Sequence, residues 1–187
     1  FDPDGPGSSP PYLHASGFFS VSGAVQIVNL ARWNGVSWSQ IGPVGQISSG
    51  GPMLVSTVSG KPLLYISGNG YDATGFNWGR LMAWDGTALT PLPSSVTNGP
   101  RAMAELSDGG SHRLVCAGGV FLENNSHVPF DGIAAWDGTQ WHSMDSLDVG
   151  SELASGGIRR MTVFDEDGPG PQQPTLFVAG GFSIAGS

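Results

Sequence analysis

Short apolar runs broken by Gly, Pro, Asn and Asp follow one another along the whole chain, and no stretch holds a 3.6-residue apolar period long enough for a helix. The chain is therefore expected to be all-β. The runs recur as a set of four strands. The first is Met53–Val58, Arg101–Leu106 or Ile158–Phe164, ended by a Gly-rich turn such as Ser107-Asp108-Gly109-Gly110. The second is the run before a Gly pair, as in Leu63-Leu64-Tyr65-Ile66 or Leu176-Phe177-Val178. It is apolar at successive positions and is expected to be covered on both faces. The third ends at Trp-Asp-Gly or Trp-Asn-Gly. The fourth, Trp38–Ile41, Leu89–Leu92 or Trp141–Met144, is expected to fold straight back through a type I′ turn at the Asp-Gly or Asn-Gly pair. Pro91 removes a ladder donor from this last strand and so assigns it to a sheet edge.

The set repeats. Leu30-Ala31-Arg32-Trp33-Asn34-Gly35, Leu81-Met82-Ala83-Trp84-Asp85-Gly86 and Ile133-Ala134-Ala135-Trp136-Asp137-Gly138 place their tryptophans 51 and 52 residues apart, and Trp38, Leu89 and Trp141 recur at the same intervals. Residues 1–24 align without a gap on residues 164–187, with 12 of the 24 positions identical, beginning with Phe1-Asp2-Pro3-Asp4-Gly5-Pro6-Gly7 against Phe164-Asp165-Glu166-Asp167-Gly168-Pro169-Gly170. Four antiparallel strands per unit of ~50 residues, the inner ones covered on both faces, describe the blade of a β-propeller. The expected organisation is about three and a half blades: 1–45, 52–94, 100–146 and a partial fourth at 157–187. A β-sandwich of irregular hairpins is the alternative, and a β-solenoid suits the repeat length less well.

These segments resemble the kelch-related Trp-Asp-Gly propeller repeats of large secreted or surface-exposed bacterial proteins. The resemblance covers essentially the whole chain and implies a scaffold, extracellular, at the cell surface or periplasmic. Two departures stand out. Asn69-Gly70-Tyr71 replaces the usual Gly-Phe segment, and extra residues lie between Gly118 and Gly180.

Composition narrows the functions. Seven basic against fifteen acidic residues give a net charge of −8, which disfavours nucleic acid and anionic membrane surfaces. No run approaches the ~18 apolar residues of a membrane span. The chain opens at Phe1 inside a motif, with neither an initiator Met nor a signal peptide, so the true N-terminus is expected upstream. Cys116 is the single cysteine and is read as a small core residue.

Few residues suggest chemistry. Asp2 and Asp4, with Asp165 and Asp167, set carboxylates at alternate positions of Asp-x-Asp-Gly loops and are the candidate Ca²⁺ ligands, although the same residues serve a plain turn. Trp33, Trp84, Trp136, Trp38 and Trp141, with Gly35, Gly86 and Gly138, are repeat positions and are assigned to packing. Trp78 is off the repeat, is placed in a loop, and is the one candidate ligand contact. His14, His112, His127 and His142 share no metal spacing, and no nucleophile or phosphate-loop motif is present. Asn124-Asn125-Ser126 fits a glycosylation sequon and is read as a surface loop. The expected function is a non-enzymatic interaction scaffold whose partners are other blades, in the same longer chain or in identical subunits. The alternatives are a carbohydrate-binding, lectin-like propeller recognising glycans, and part of a kelch-type propeller enzyme.

Overall fold

The computed structural model describes residues 1–5, 7–8, 10–21, 26–44, 46–71, 77–92, 99–108, 110–118, 121–122, 129–130, 133–144, 158–168 and 170–181. Among these there is no helix, and every sheet is antiparallel.

Sheet I contains β1 (Leu13–Val21), β2 (Ile27–Trp33) and β3 (Trp38–Gln40), in that order. Sheet II is a meander of β4 (Ile47–Ser56), β5 (Leu63–Tyr71), β6 (Asn77–Trp84) and β7 (Leu89–Pro91). Sheet III repeats that meander with β8 (Ala102–Asp108), β9 (Ser111–Ala117), β12 (Ile133–Trp136) and β13 (Trp141–Ser143). Between β9 and β12 a small separate ribbon pairs β10 (Phe121–Leu122) with β11 (Pro129–Phe130). Sheet IV pairs β14 (Ile158–Phe164) with β15 (Thr175–Gly180). β7 is the outer edge of sheet II, so Pro91 lies where a missing donor is tolerated. β4 begins at Ile47, upstream of the expected Met53, because Ile47 is buried in the seam against sheet I.

Three apolar seams join the sheets in chain order. Leu30 and Ile41 of sheet I meet Ile47, Leu64, Ile66, Met82 and Trp84 of sheet II. Leu63, Tyr65 and Leu81, from the other face of sheet II, meet Met103, Leu114, Cys116, Trp136 and Trp141 of sheet III. Val115, Ala117 and Ile133 then meet Ile158, Met161, Leu176 and Val178 on sheet IV. The alternation along β5 explains its unbroken apolar run: Leu64 and Ile66 face backward, Leu63 and Tyr65 forward, and neither face is left for a polar residue. Each fully buried Leu, Ile or Trp side chain in these seams stabilises the stack by roughly 1.5–3 kcal/mol relative to exposure.

The same alternation leaves the outer faces of sheets I and IV uncovered. Leu13, Leu64 and Leu114 each pair with the tryptophan that ends the third strand of the repeat. Leu64 and Leu114 are 4% and 0% exposed, whereas Leu13, with no sheet behind it among the described residues, is 62% exposed. At the far end Phe164 and Phe177 stack edge to face in the open.

Candidate functional site

The Trp-Asp-Gly turns are built alike. Trp33 pairs with Trp38, Trp84 with Leu89 and Trp136 with Trp141, so each hairpin loop contains four residues instead of the type I′ pair expected from sequence. The Asp is the reason. Asp85 Oδ1 accepts the N–H groups of Thr87 and Ala88 at 2.8 Å and the Thr87 hydroxyl at 2.8 Å, and Asp137 does the same for Thr139 and Gln140. Asn34 accepts the N–H groups of Val36 and Ser37 in the first copy. The side chain thus closes the loop, and only the following glycine takes a left-handed φ, +94° at Gly35 and +100° at Gly86 and Gly138.

These turns also seat the neighbouring sheet. A Cβ on Gly86 would strike Pro3 at 2.5 Å, and one on Gly138 would strike the Val58 carbonyl oxygen at 2.6 Å. The loop between first and second strands of one sheet therefore rests on the Trp-Asp-Gly turn of the next. Trp84, Trp136 and Trp141 are buried in the seams, while Trp33 and Trp38 stack on each other at the open face of sheet I.

The hydrogen bonds hold Asp85 at about 2 and outweigh its slight burial: the Ala88 and Thr87 N–H groups act first and the Thr87 hydroxyl next. At Asp137 burial pushes the carboxyl up, but hydrogen bonds from His142, Gln140 and Thr139 prevail and hold it well below the usual range. Burial drives the Cys116 thiol far upward, consistent with a core residue and not a nucleophile.

The two Asp-x-Asp-Gly loops have matching geometry. Gly5 and Gly168 take φ of +60° and +64°, and at Gly7 and Gly170 a Cβ would collide with the Asp4 and Asp167 carboxyls respectively. Phe1 and Tyr12 exchange backbone hydrogen bonds of 2.9 and 3.0 Å, the counterpart of the Phe164–Thr175 pair in sheet IV. A hydrogen bond to the Asp4 carboxyl raises Asp2 above the usual carboxylate range. Oδ1 of Asp2, Asp165 and Asp167 has no hydrogen-bond partner. No group of three or more His, Cys, Asp or Glu side chains among the described residues is arranged to hold a metal ion.

Trp78 is not in a loop. It lies on β6, paired with Gly70, because β5 and β6 continue past the repeat's Gly pair to Tyr71 and Asn77. The Gly70-Tyr71 segment that departs from the repeat is thus the end of a longer hairpin. The sequon Asn124-Asn125-Ser126 and His127 lie outside the described residues, as do residues 72–76.

One residue that the sequence pattern did not mark is Asn29. It is buried on β2 in a left-handed conformation, φ +62°, and donates through Nδ2 to the Ile47 and Ser48 carbonyls at 3.0 and 2.8 Å. Its Oδ1 accepts the Phe19 N–H at 3.1 Å. The available signal is an Asn interrupting Ile27-Val28-Asn29-Leu30-Ala31, since Asn is the side chain that best tolerates that conformation. Ser67 ties the next seam in a similar way, its hydroxyl donating to the Pro100 carbonyl at 2.5 Å.

Comparison of the chain with protein-family models, with curated proteins and with solved structures finds no match.

Proposed function

We propose that the four sheets are consecutive blades of a β-propeller and that the chain serves as a non-enzymatic scaffold whose end faces receive further blades of the same repeat. The carrying observation is that residues recurring in register are used in packing one sheet on the next. Leu64, Trp84, Leu114 and Trp136 fill the seams, and Gly86 and Gly138 seat the loops between them. First strands β4, β8 and β14 lie side by side, the arrangement in which inner strands surround an axis. The uncovered faces carry the same positions: Leu13 and Trp38 at one end, Phe164 and Phe177 at the other. An apolar cavity of about 280 Å³ between Ala15, Phe19, Ala31 and Trp38 is the socket a preceding blade would fill. An extracellular or cell-surface setting is part of this reading and rests on the repeat resemblance alone.

Light scattering tests it. The protein should self-associate through its end faces, and Phe177→Asp or Trp38→Asp should return it toward monomer. A well-folded, compact monomer would sink the reading.

A structural Ca²⁺ ion at the Asp-x-Asp-Gly loops is a second proposal, favoured by the unpartnered Oδ1 atoms at the matched Asp2 and Asp165 positions. Millimolar Ca²⁺ should raise the melting temperature, chelator should lower it, and Asp4→Asn/Asp167→Asn should abolish the difference. No shift in the unaltered protein removes the ion.

A further inference from the structure

The groove between β8 and β14 has a chemistry that the scaffold does not require. Its volume is about 370 Å³, within the range of small-molecule sites, and Arg101, Arg159 and Arg160 line it together with Pro52, Ala102, Met103 and Met161. Three of the chain's seven basic residues thus converge on one groove of a protein whose net charge is −8. Among the described residues none of the three has a carboxylate partner; the ion pairs there are His112–Glu105 and His142–Asp137.

Backbone features place the three arginines along the groove. The β14 ladder slips between Ile158 and Arg160, leaving Arg159 as an extra residue. A bulge of this kind cancels the alternation at one step, so two consecutive arginines that regular pleating would send to opposite faces leave the strand on one face, opposite Met161, and both border the groove. Arg160 Nη1 donates to the Arg159 carbonyl at 2.8 Å. On the facing sheet the stem of Arg101 lies over Gly118, where a Cβ would meet Arg101 Cβ at 2.9 Å and the Ile158 oxygen at 3.2 Å. The Arg101 stem therefore occupies space that a side chain at Gly118 would take.

The repeat itself shows that charge is dispensable at these positions. Met53, Met103 and Met161 hold the same place on the three first strands, opposite Ile66, Cys116 and Val178. The two residues before them are Gly51-Pro52, Arg101-Ala102 and Arg159-Arg160. Sheet II forms the same edge with Gly and Pro.

We propose that this groove is a binding site for an anionic small ligand, its carboxylate or phosphate oxygens held by Arg101, Arg159 and Arg160 and its less polar body lying against Pro52. Guanidinium forks match both oxyanions in bidentate geometry, and such charged hydrogen bonds are the stronger kind. The site draws on sheets II, III and IV and does not depend on ring closure.

Calorimetric titration at low ionic strength with citrate and, separately, inorganic phosphate tests the proposal, the stronger of the two showing which oxyanion the groove prefers. At least one should bind saturably at a single site. Arg159→Gln/Arg160→Gln should weaken it by about tenfold or more, Arg101→Gln on the neighbouring sheet should weaken it too, and melting temperatures should hold, since all three side chains are exposed. Lys61→Gln/Arg113→Gln removes the same charge elsewhere on the surface and should leave affinity within about twofold. No saturable binding of either probe overturns the site. So does an equal loss in the two double variants, or full affinity in Arg101→Gln.

Discussion

Trp38 and Trp141 occupy the same position of the repeat, each packed obliquely on its own hairpin tryptophan at ring-centroid distances of 5.5 and 5.4 Å, yet Trp141 is 2% exposed and Trp38 40%. The difference is the neighbour: sheet II covers Trp141, and no other sheet among the described residues covers Trp38. Trp141→Ala is therefore expected to cost about 3–5 kcal/mol, the usual range for emptying a large aromatic site in a core. Trp38→Ala should cost no more than about 1.5 kcal/mol, chiefly the lost aromatic contact with Trp33. Urea unfolding of the two variants, compared at equal and dilute protein concentration, reads the difference directly. Similar losses would mean that the face of sheet I is covered.

The turn glycines make a graded series. Alanine at Gly35 meets nothing within 4 Å and pays only for the left-handed backbone, about 1–2 kcal/mol. At Gly138 the same substitution also drives a methyl into the Val58 carbonyl, and at Gly86 into Pro3. Gly138→Ala should thus lower the denaturation midpoint more than Gly35→Ala. Gly86→Ala should fall between them, because a ring at a loop tip yields more readily than strand-end backbone. Three equal shifts would show that the turns do not seat the adjacent sheet.

Acid should act on the second and third turns and spare the first. Asp85 is held at about 2 and Asp137 lower still, both below the ordinary 3.8. A carboxyl depressed by folding contributes stability above its unfolded value and loses it as pH falls through the folded one, so the loss runs from about pH 4 downward. Asp2 is raised, so its contribution has the opposite sense: present below the ordinary value and lost as pH climbs through the folded one. Asn34 makes equivalent backbone bonds without a titrating group. Asp85→Asn/Asp137→Asn should flatten the fall in melting temperature between pH 4 and 2. Each of these solvent-exposed turns contributes no more than about 1 kcal/mol to that fall. An unchanged pH profile would assign the acid sensitivity to other carboxylates.

Much of the fold is legible because the repeat states it several times. The tryptophan spacing, the apolar run of β5 and the edge position of Pro91 are local patterns, and each matches an element of the four sheets. The misreadings share a cause: features set by contact between sheets or by hydrogen bonds to side chains leave no period in the sequence. Asp-Gly signals a hairpin equally well whether the loop has two residues or four, and only the Asp85 bonds decide. Trp78 reads as a loop residue because β5 and β6 extend beyond the repeat's usual limit. The convergence of Arg101 with Arg159 and Arg160 depends on a ladder slip that no propensity encodes.

Asn29 is where the seam between sheets I and II should be most sensitive to a single polar change. Its amide satisfies the Phe19 N–H and the Ile47 and Ser48 carbonyls from a left-handed backbone. Asn29→Ala leaves those groups without their partner and keeps the strain, an expected loss of about 3 kcal/mol or more. Asn29→Gly relieves the backbone and should recover about 1 kcal/mol of that loss. Asn29→Asp is the sharper test. The carboxylate can still accept from Phe19, but its second oxygen would face two carbonyls, so at neutral pH the variant should be less stable than Asn29→Ala. Protonation supplies one O–H donor to that side. The buried carboxyl is then raised by folding, and its stabilising form is fully present below the unfolded value and lost as pH rises through the folded one. Asn29→Asp should accordingly gain stability relative to the parent protein on acidification from pH 7 to 5; the parent loses stability there as His14, whose charging burial opposes, takes up a proton. A variant as stable as the parent at pH 7 would remove the clamp from the seam.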